Sequence, residues 1–196
     1  MNPVVAVFAI VVAYLCGTLP SAILIAKSKG IDITTFGSGN PGASNISRAL
    51  GAKYGALVFV LDAAKGAIPV AVMLGDRPIA FACGAAAIIG HMFPVTRHFK
   101  GGKGVATGGG VLLPLHPLVM IGTLIAWLVI MKVSKKASIA SIAIVPIMLI
   151  ALAVRGTAGW ELLTLLGMGA LVEIRHISNI KRLISGSEPP VTGVSH

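Results

Sequence analysis

Residues 99–107, Phe99-Lys100-Gly101-Gly102-Lys103-Gly104-Val105-Ala106-Thr107, form a basic, glycine-rich stretch between two strongly apolar ones. Gly101, Gly102 and Gly104 let backbone N–H groups converge without side chains in the way. Lys100 and Lys103 add two mobile cations, and Thr107 adds a hydroxyl at a helix start. Such a set suits an anion with several oxygens, a phosphate above all. The same residues would also make a plain glycine hinge whose lysines orient a membrane helix. A nucleotide P-loop is excluded: Gly104 follows Lys103 where Ser or Thr is required, and no strand pattern precedes the loop.

Two further polar stretches carry chemistry. Residues 36–48 hold Ser38, Asn40, Ser44 and Asn45 among Gly37, Gly39 and Gly42, and end on Arg48, whose guanidinium can grip a phosphate through two parallel bonds. Residues 175–183 hold His176 and Asn179, which share one face of a helical turn, beside Arg175, Lys181 and Arg182; Gly186 and Glu188 follow. Brought together, the three stretches would form a polar pocket rich in donors and poor in carboxylates, a site for anions. His91, His98 and His116 stand alone and read as hydrogen-bonded structural groups, whereas His176 keeps company suited to substrate. With six acidic residues in the chain and no metal-ligand spacing between His and Asp or Glu, no metal site and no cofactor are expected.

The elements that must position these stretches are membrane helices. The chain is 56% hydrophobic and 11% charged, where soluble domains carry about 25% charged residues. Apolar segments run near 3–26, 54–74, 78–96, 105–115, 117–131, 137–154 and 159–174. Several reach the ~20 residues that a crossing needs, while 105–115 and 118–131 fall short. Pro114 and Pro117 bracket His116 and force a break, so 105–131 is either two short helices or one bent excursion. The first segment is too long for a signal-peptide core and is read as retained. Asp62 and Lys65 lie inside the second segment, where an i, i+3 pair either ties helices together or turns its lysine into a pocket. Gly84, Gly90, Gly108, Gly109, Gly110, Gly122, Gly167 and Gly169 suit helix contacts and bends, and Trp127 and Trp160 suit interfacial anchors. Cys16 and Cys83 fall in apolar segments and indicate neither a disulfide nor a thiolate metal site.

Charge sets the orientation. Lys27, Lys29, Arg48 and Lys53, then Arg97, Lys100 and Lys103, then Lys132, Lys135 and Lys136, then Arg175, Lys181 and Arg182 occupy alternate connections; the others carry only Arg77, Arg155 or nothing. Basic loops mark the cytoplasmic side. The expected architecture is an all-α integral membrane protein, one domain over 1–196. It is a compact bundle of about seven transmembrane helices, some short, with the N-terminus outside and the C-terminus cytoplasmic. The net charge of +10 belongs to these loops, and with 5% aromatic residues it points to anionic lipid heads and substrates rather than nucleic acid.

With the three stretches and Leu61-Asp62-Ala63-Ala64-Lys65-Gly66 in hand, the chain closely resembles the bacterial membrane acyl-phosphate:glycerol-3-phosphate acyltransferases. The resemblance covers essentially the whole length; Ser44 stands where the family usually has threonine, and Pro189-Pro190 where it tends to place a lysine. It implies transfer of a fatty acyl group from acyl phosphate to the 1-hydroxyl of glycerol-3-phosphate. The products are 1-acylglycerol-3-phosphate (lysophosphatidic acid) and inorganic phosphate, the first acylation of phospholipid synthesis. It also implies a place in the bacterial inner membrane, an active site on the cytoplasmic side, and functional coupling to the enzyme that makes acyl phosphate. Ser38, Arg48, Lys103, His176 and Asn179 are the expected catalytic residues. Gly37, Gly39, Asn40, Gly42, Asn45, Lys65, Lys100, Gly101, Gly102, Gly104, Thr107 and Glu188 are expected to bind substrate. The commoner H-x-x-x-x-D acyltransferase signature is absent: Thr96, Lys103, Ile121 and Lys181 stand where its aspartate would follow each histidine. The rival from another class is a transporter or channel for a phosphorylated solute.

Overall fold

The structure, a computed structural model, describes residues 1–191. Their regular structure is helical throughout, with no strand among the described residues. The chain divides into two compact units, Met1–Leu115 and His116–His196.

The first unit holds α1 (Pro3–Gly17), α2 (Ser21–Lys27), α3 (Ala43–Leu50), α4 (Ala52–Val72), α5 (Arg77–Met92) and α6 (Val105–Leu115). Asn2 caps α1 by accepting from the N–H of Val4, and Asp76 caps α5 through Ile79. The apolar segment read as one helix over 3–26 is broken: α1 ends at Gly17, Thr18 and Leu19 turn, and Pro20 precedes α2. Proline has no N–H to continue the ladder, and the Thr18 hydroxyl bonds back to the Leu15 carbonyl. Glycines set the closest helix crossings. A Cβ on Gly66 of α4 would strike the Thr107 carbonyl of α6, and one on Gly110 would strike that of Ala63. Gly17 and Gly90 stand in the same relation to Ala87 and Tyr14, where α1 meets α5. Bilayer helices, with no apolar-against-water drive between them, associate through such close backbone contact.

The second unit holds α7 (Pro117–Ser134), α8 (Ala137–Val154), α9 (Gly159–Arg175) and α10 (Ile177–Ile184). The break at His116 forms as the flanking prolines require. α7 continues past the apolar run to Ser134 and reaches 18 residues, longer than 118–131 suggested. Trp127, expected as an interfacial anchor, instead donates its indole N–H to the Ser141 hydroxyl at 3.1 Å and ties α7 to α8. Gly122 and Gly167 face open space rather than a neighbouring helix.

Among the described residues, five stretches are long and apolar enough to cross a membrane: Pro3–Lys27, Ala52–Val72, Arg77–Arg97, Pro117–Ser134 and Ala137–Val154. The apolar helix Val105–Leu115 is shorter, and α9 has 17 residues. Large side chains outside the core, such as Val4, Phe8, Ile68, Leu118 and Ile150, are more than half exposed, as lipid-facing positions should be.

Candidate functional site

In the first unit, residues 36–42 turn tightly before α3, and Asn45 holds that turn. Its side chain is 1% exposed; Oδ1 accepts from the Ser38 N–H at 3.2 Å, and Nδ2 donates to the carbonyls of Ile33 and Phe36 at 3.3 and 2.9 Å. Asn45, expected on substrate, therefore has its whole amide engaged in shaping the loop that presents Ser38. A Cβ on Gly37 would meet Asn45 Oδ1, and one on Gly42 the Asn40 amide, so these glycines keep the turn closed around both side chains. The Ser38 hydroxyl accepts from the Asn40 N–H at 3.4 Å. Arg48, half-buried, lies one turn beyond Asn45 on α3.

Asp62 and Lys65 form the expected pair, with Nζ 2.5 Å from Oδ1 and both side chains buried. The same carboxylate oxygen lies 4.0 Å from Nδ1 of His91 on α5. These three residues line an open pocket together with the α1–α2 break, Arg97, Gly101 and Gly102. Both structural and pocket-lining roles thus fall to Lys65. The sequence does not mark Asp62, His91 and Arg97 for substrate, although two ions inside an apolar segment signal the place. Ser38, Arg48 and Lys103 lie outside this lining.

The glycine loop enters through two non-glycine residues in the left-handed region, His98 at φ 50° and Phe99 at φ 60°. The N–H groups of Gly101 and Gly102 donate to the carbonyls of Met92 and His91 at 3.1 and 3.0 Å. Those two donors, expected to face an anion, pin the loop to the end of α5. Beyond them α6 begins at Val105, and the N–H groups of a helix's first turn have no partners within the helix. Gly104, at φ 81°, makes the bend that starts the helix. Lys103 is half-buried and Lys100 exposed. Thr107 is fully buried in the α4–α6 seam, with its hydroxyl unpartnered.

In the second unit, His176 ends α9 and begins α10. It is 3% exposed, and Nδ1 lies 2.8 Å from the Val172 carbonyl. A carbonyl only accepts, so Nδ1 carries a proton, and in the neutral ring Nε2 holds the lone pair. Asn179 is buried on the same face while Ile177 and Ile180 are exposed, matching the three-residue spacing. Glu188, expected on substrate, is buried and occupied. It accepts from Asn179 Nδ2 and Arg182 Nε, each at 2.7 Å. Val191 N–H bonds to the Lys135 carbonyl, so the segment after α10 is strapped to the α7–α8 turn. Burial alone would raise the Glu188 pKa, but the bonds from Asn179 and Arg182 and the Arg182 charge outweigh it and hold the group below its ordinary value. The stability this contributes is complete above the unfolded value and is lost as pH falls through the lower folded one. Thermal unfolding in detergent should show an acid loss below about pH 4.5, the ordinary carboxylate range. Glu188→Gln should cost about 1–3 kcal/mol at neutral pH and flatten that acid limb.

Comparisons with known proteins cover nearly the whole chain. A sequence profile of the family described as glycerol-3-phosphate acyltransferase matches residues 7–186. The glycerol-3-phosphate acyltransferase of Aquifex aeolicus is 42% identical over 187 residues, 93% of this chain and 97% of that one. That of Bacillus velezensis is 40% identical over 188 residues, 93% and 95% of the two chains. The crystal structure of PlsY (YgiH), an integral membrane glycerol 3-phosphate acyltransferase, in its glycerol 3-phosphate form superimposes with a TM-score of 0.92 at 41% identity, covering 96% of each chain. Its lysophosphatidic acid form gives 0.89 at 41% identity, covering 95% of each.

Proposed function

Because the chain belongs to the glycerol-3-phosphate acyltransferase family, we propose that it moves a fatty acyl group from acyl phosphate to the 1-hydroxyl of glycerol-3-phosphate, releasing lysophosphatidic acid and inorganic phosphate. The observation that carries this reading is the whole-chain likeness to a protein crystallised in both a glycerol 3-phosphate and a lysophosphatidic acid form, the acceptor and product of one transfer. A solute transporter has no use for that pair.

An acyl phosphate is a mixed anhydride, activated without a covalent enzyme intermediate. The acceptor oxygen attacks the acyl carbon, the carbon–oxygen bond to phosphate breaks, and the proton passes from the attacking hydroxyl to a phosphate oxygen that grows more basic as it leaves. The enzyme has to hold two anions side by side and stabilise the developing charge. Arg48 and Lys103 hold the acceptor phosphate, with the first-turn N–H groups of α6 as further donors. Ser38 and Asn179 orient the glycerol; Asn45 and Glu188 act through them, one by shaping the Ser38 loop and the other by holding the Asn179 amide. His176 binds and positions rather than serving as the base. Residues 1–196 work as one catalytic domain in the bacterial inner membrane, N-terminus outside, with the reaction on the cytoplasmic side, where the basic loops and an acyl-phosphate-making partner meet it.

Purified protein given radiolabelled glycerol-3-phosphate should form lysophosphatidic acid and release stoichiometric phosphate with palmitoyl phosphate. It should form less than about a hundredth as much with palmitoyl thioesters of coenzyme A or acyl carrier protein, a gap of roughly 2.7 kcal/mol in transition-state energy. Equal or better turnover with a thioester would overturn the donor assignment.

A further inference from the structure

A glycine in a binding loop has two physical explanations: a ligand must approach the backbone, or the fold itself occupies the place of a Cβ. At Gly102 the occupant is in the protein. A Cβ there would run into the imidazole of His91, overlapping Nε2 and crowding Cε1 and Cδ2. The ring has little freedom to give way. It sits at 9% exposure, with Nδ1 directed at the carboxylate that Lys65 already bonds. The main chain of the same residue accepts from the Gly102 N–H at 3.0 Å, and that of Met92 accepts from Gly101 at 3.1 Å. One side chain therefore spans from the buried ion pair on α4 to the glycine loop, and its own backbone pins that loop.

We infer that His91 is a positioning residue, the wall against which the loop 101–104 is set, and that Gly102 must be glycine because of this ring rather than because of a ligand. The neighbouring glycines differ. Gly101 is closed in by the carbonyls of His91 and Met92, and Gly104 combines a φ of 81° with the tip of Met92. Gly102 alone of the three has no backbone atom among its nearest neighbours and no positive φ, only the atoms of one removable ring. His91 touches no reacting atom in this arrangement; it acts through where the loop places Lys103 and the first turn of α6. The activity readout rests on the loop serving the acceptor phosphate, as proposed above.

The test is a double-mutant cycle. Wild type, Gly102→Ala, His91→Ala and the double variant are compared for glycerol-3-phosphate KM, kcat and melting temperature in detergent. Gly102→Ala should raise KM on the order of tenfold, and should do so within about threefold or less once His91 is alanine, because contacting residues couple while independent ones add. kcat should move less than KM in every variant, since the loop's placement governs binding. His91→Ser supplies a second background if His91→Ala folds poorly. If Gly102→Ala does not fold alone, recovery of a folded, monodisperse double variant makes the same point. Gly108→Ala is the control: the nearest atom to its Cβ would be Ile88 Cδ1 at 3.9 Å, so KM should not change. An equal loss from Gly102→Ala in both backgrounds would mean that the ligand requires the glycine, and the inference fails. If wild type shows no turnover, the functional reading falls, while the melting-temperature cycle still decides the role of His91.

Discussion

Lys65→Met is expected to destabilise the protein by about 3–5 kcal/mol, because it leaves the Asp62 carboxylate buried without its cation. Asp62 and Lys65 are 3% and 7% exposed, so neither charge can recover its hydration in place. Asp62→Leu should cost a similar amount by stranding the ammonium. The double variant Asp62→Leu/Lys65→Met should regain most of that loss, since a buried pair replaced by apolar groups of similar volume is often neutral or better. Melting temperatures in detergent check the pattern, and additive losses would show that the two side chains do not depend on each other. The double variant also separates the two roles the pair fills in the structure. If it folds but has lost turnover, the Lys65 ammonium serves substrate in the pocket it lines with Arg97; if it folds and works, the pair is only a tie within α4.

Arg48→Ala and Lys103→Ala should each weaken glycerol-3-phosphate binding by roughly ten- to a hundredfold, the loss of one charge-assisted bond worth about 1.5–3 kcal/mol. Arg48→Lys should remain impaired, because an ammonium keeps the charge but not the planar fork that grips two phosphate oxygens. Lys103→Arg should be milder, since a mobile point charge at the start of α6 needs no fixed fork. Both are half-buried, a setting in which a cation pairs with an anion more strongly than at an open surface. Acceptor KM and kcat, with melting temperature as a folding control, read the effect. An unchanged KM and kcat in a folded Arg48→Ala would remove that residue from the acceptor site.

Much of the architecture follows from local pattern. Runs of apolar residues near the length of a bilayer crossing mark the helices, and two prolines around His116 mark a break, because both effects depend on neighbours in the chain. The three-residue spacing of His176 and Asn179 puts them on one buried face, and the same spacing in Asp62 and Lys65 makes an ion pair; helical geometry alone decides both. The family's motifs are legible for the same reason, as contiguous residues in order.

Other features belong to the tertiary structure. Asn45, Glu188 and the N–H groups of Gly101 and Gly102 all have the right chemistry for substrate, yet the structure engages them with Ser38, Asn179, Met92 and His91. A donor's type is written in the sequence, but its partner depends on which acceptor the fold brings within about 3 Å. Trp127 found a serine on the next helix, and the α1–α2 break became a pocket wall, for that same reason. The glycine at 102 states only that a Cβ is missing; that the volume belongs to the His91 ring is decided by packing, where α5 and the loop meet.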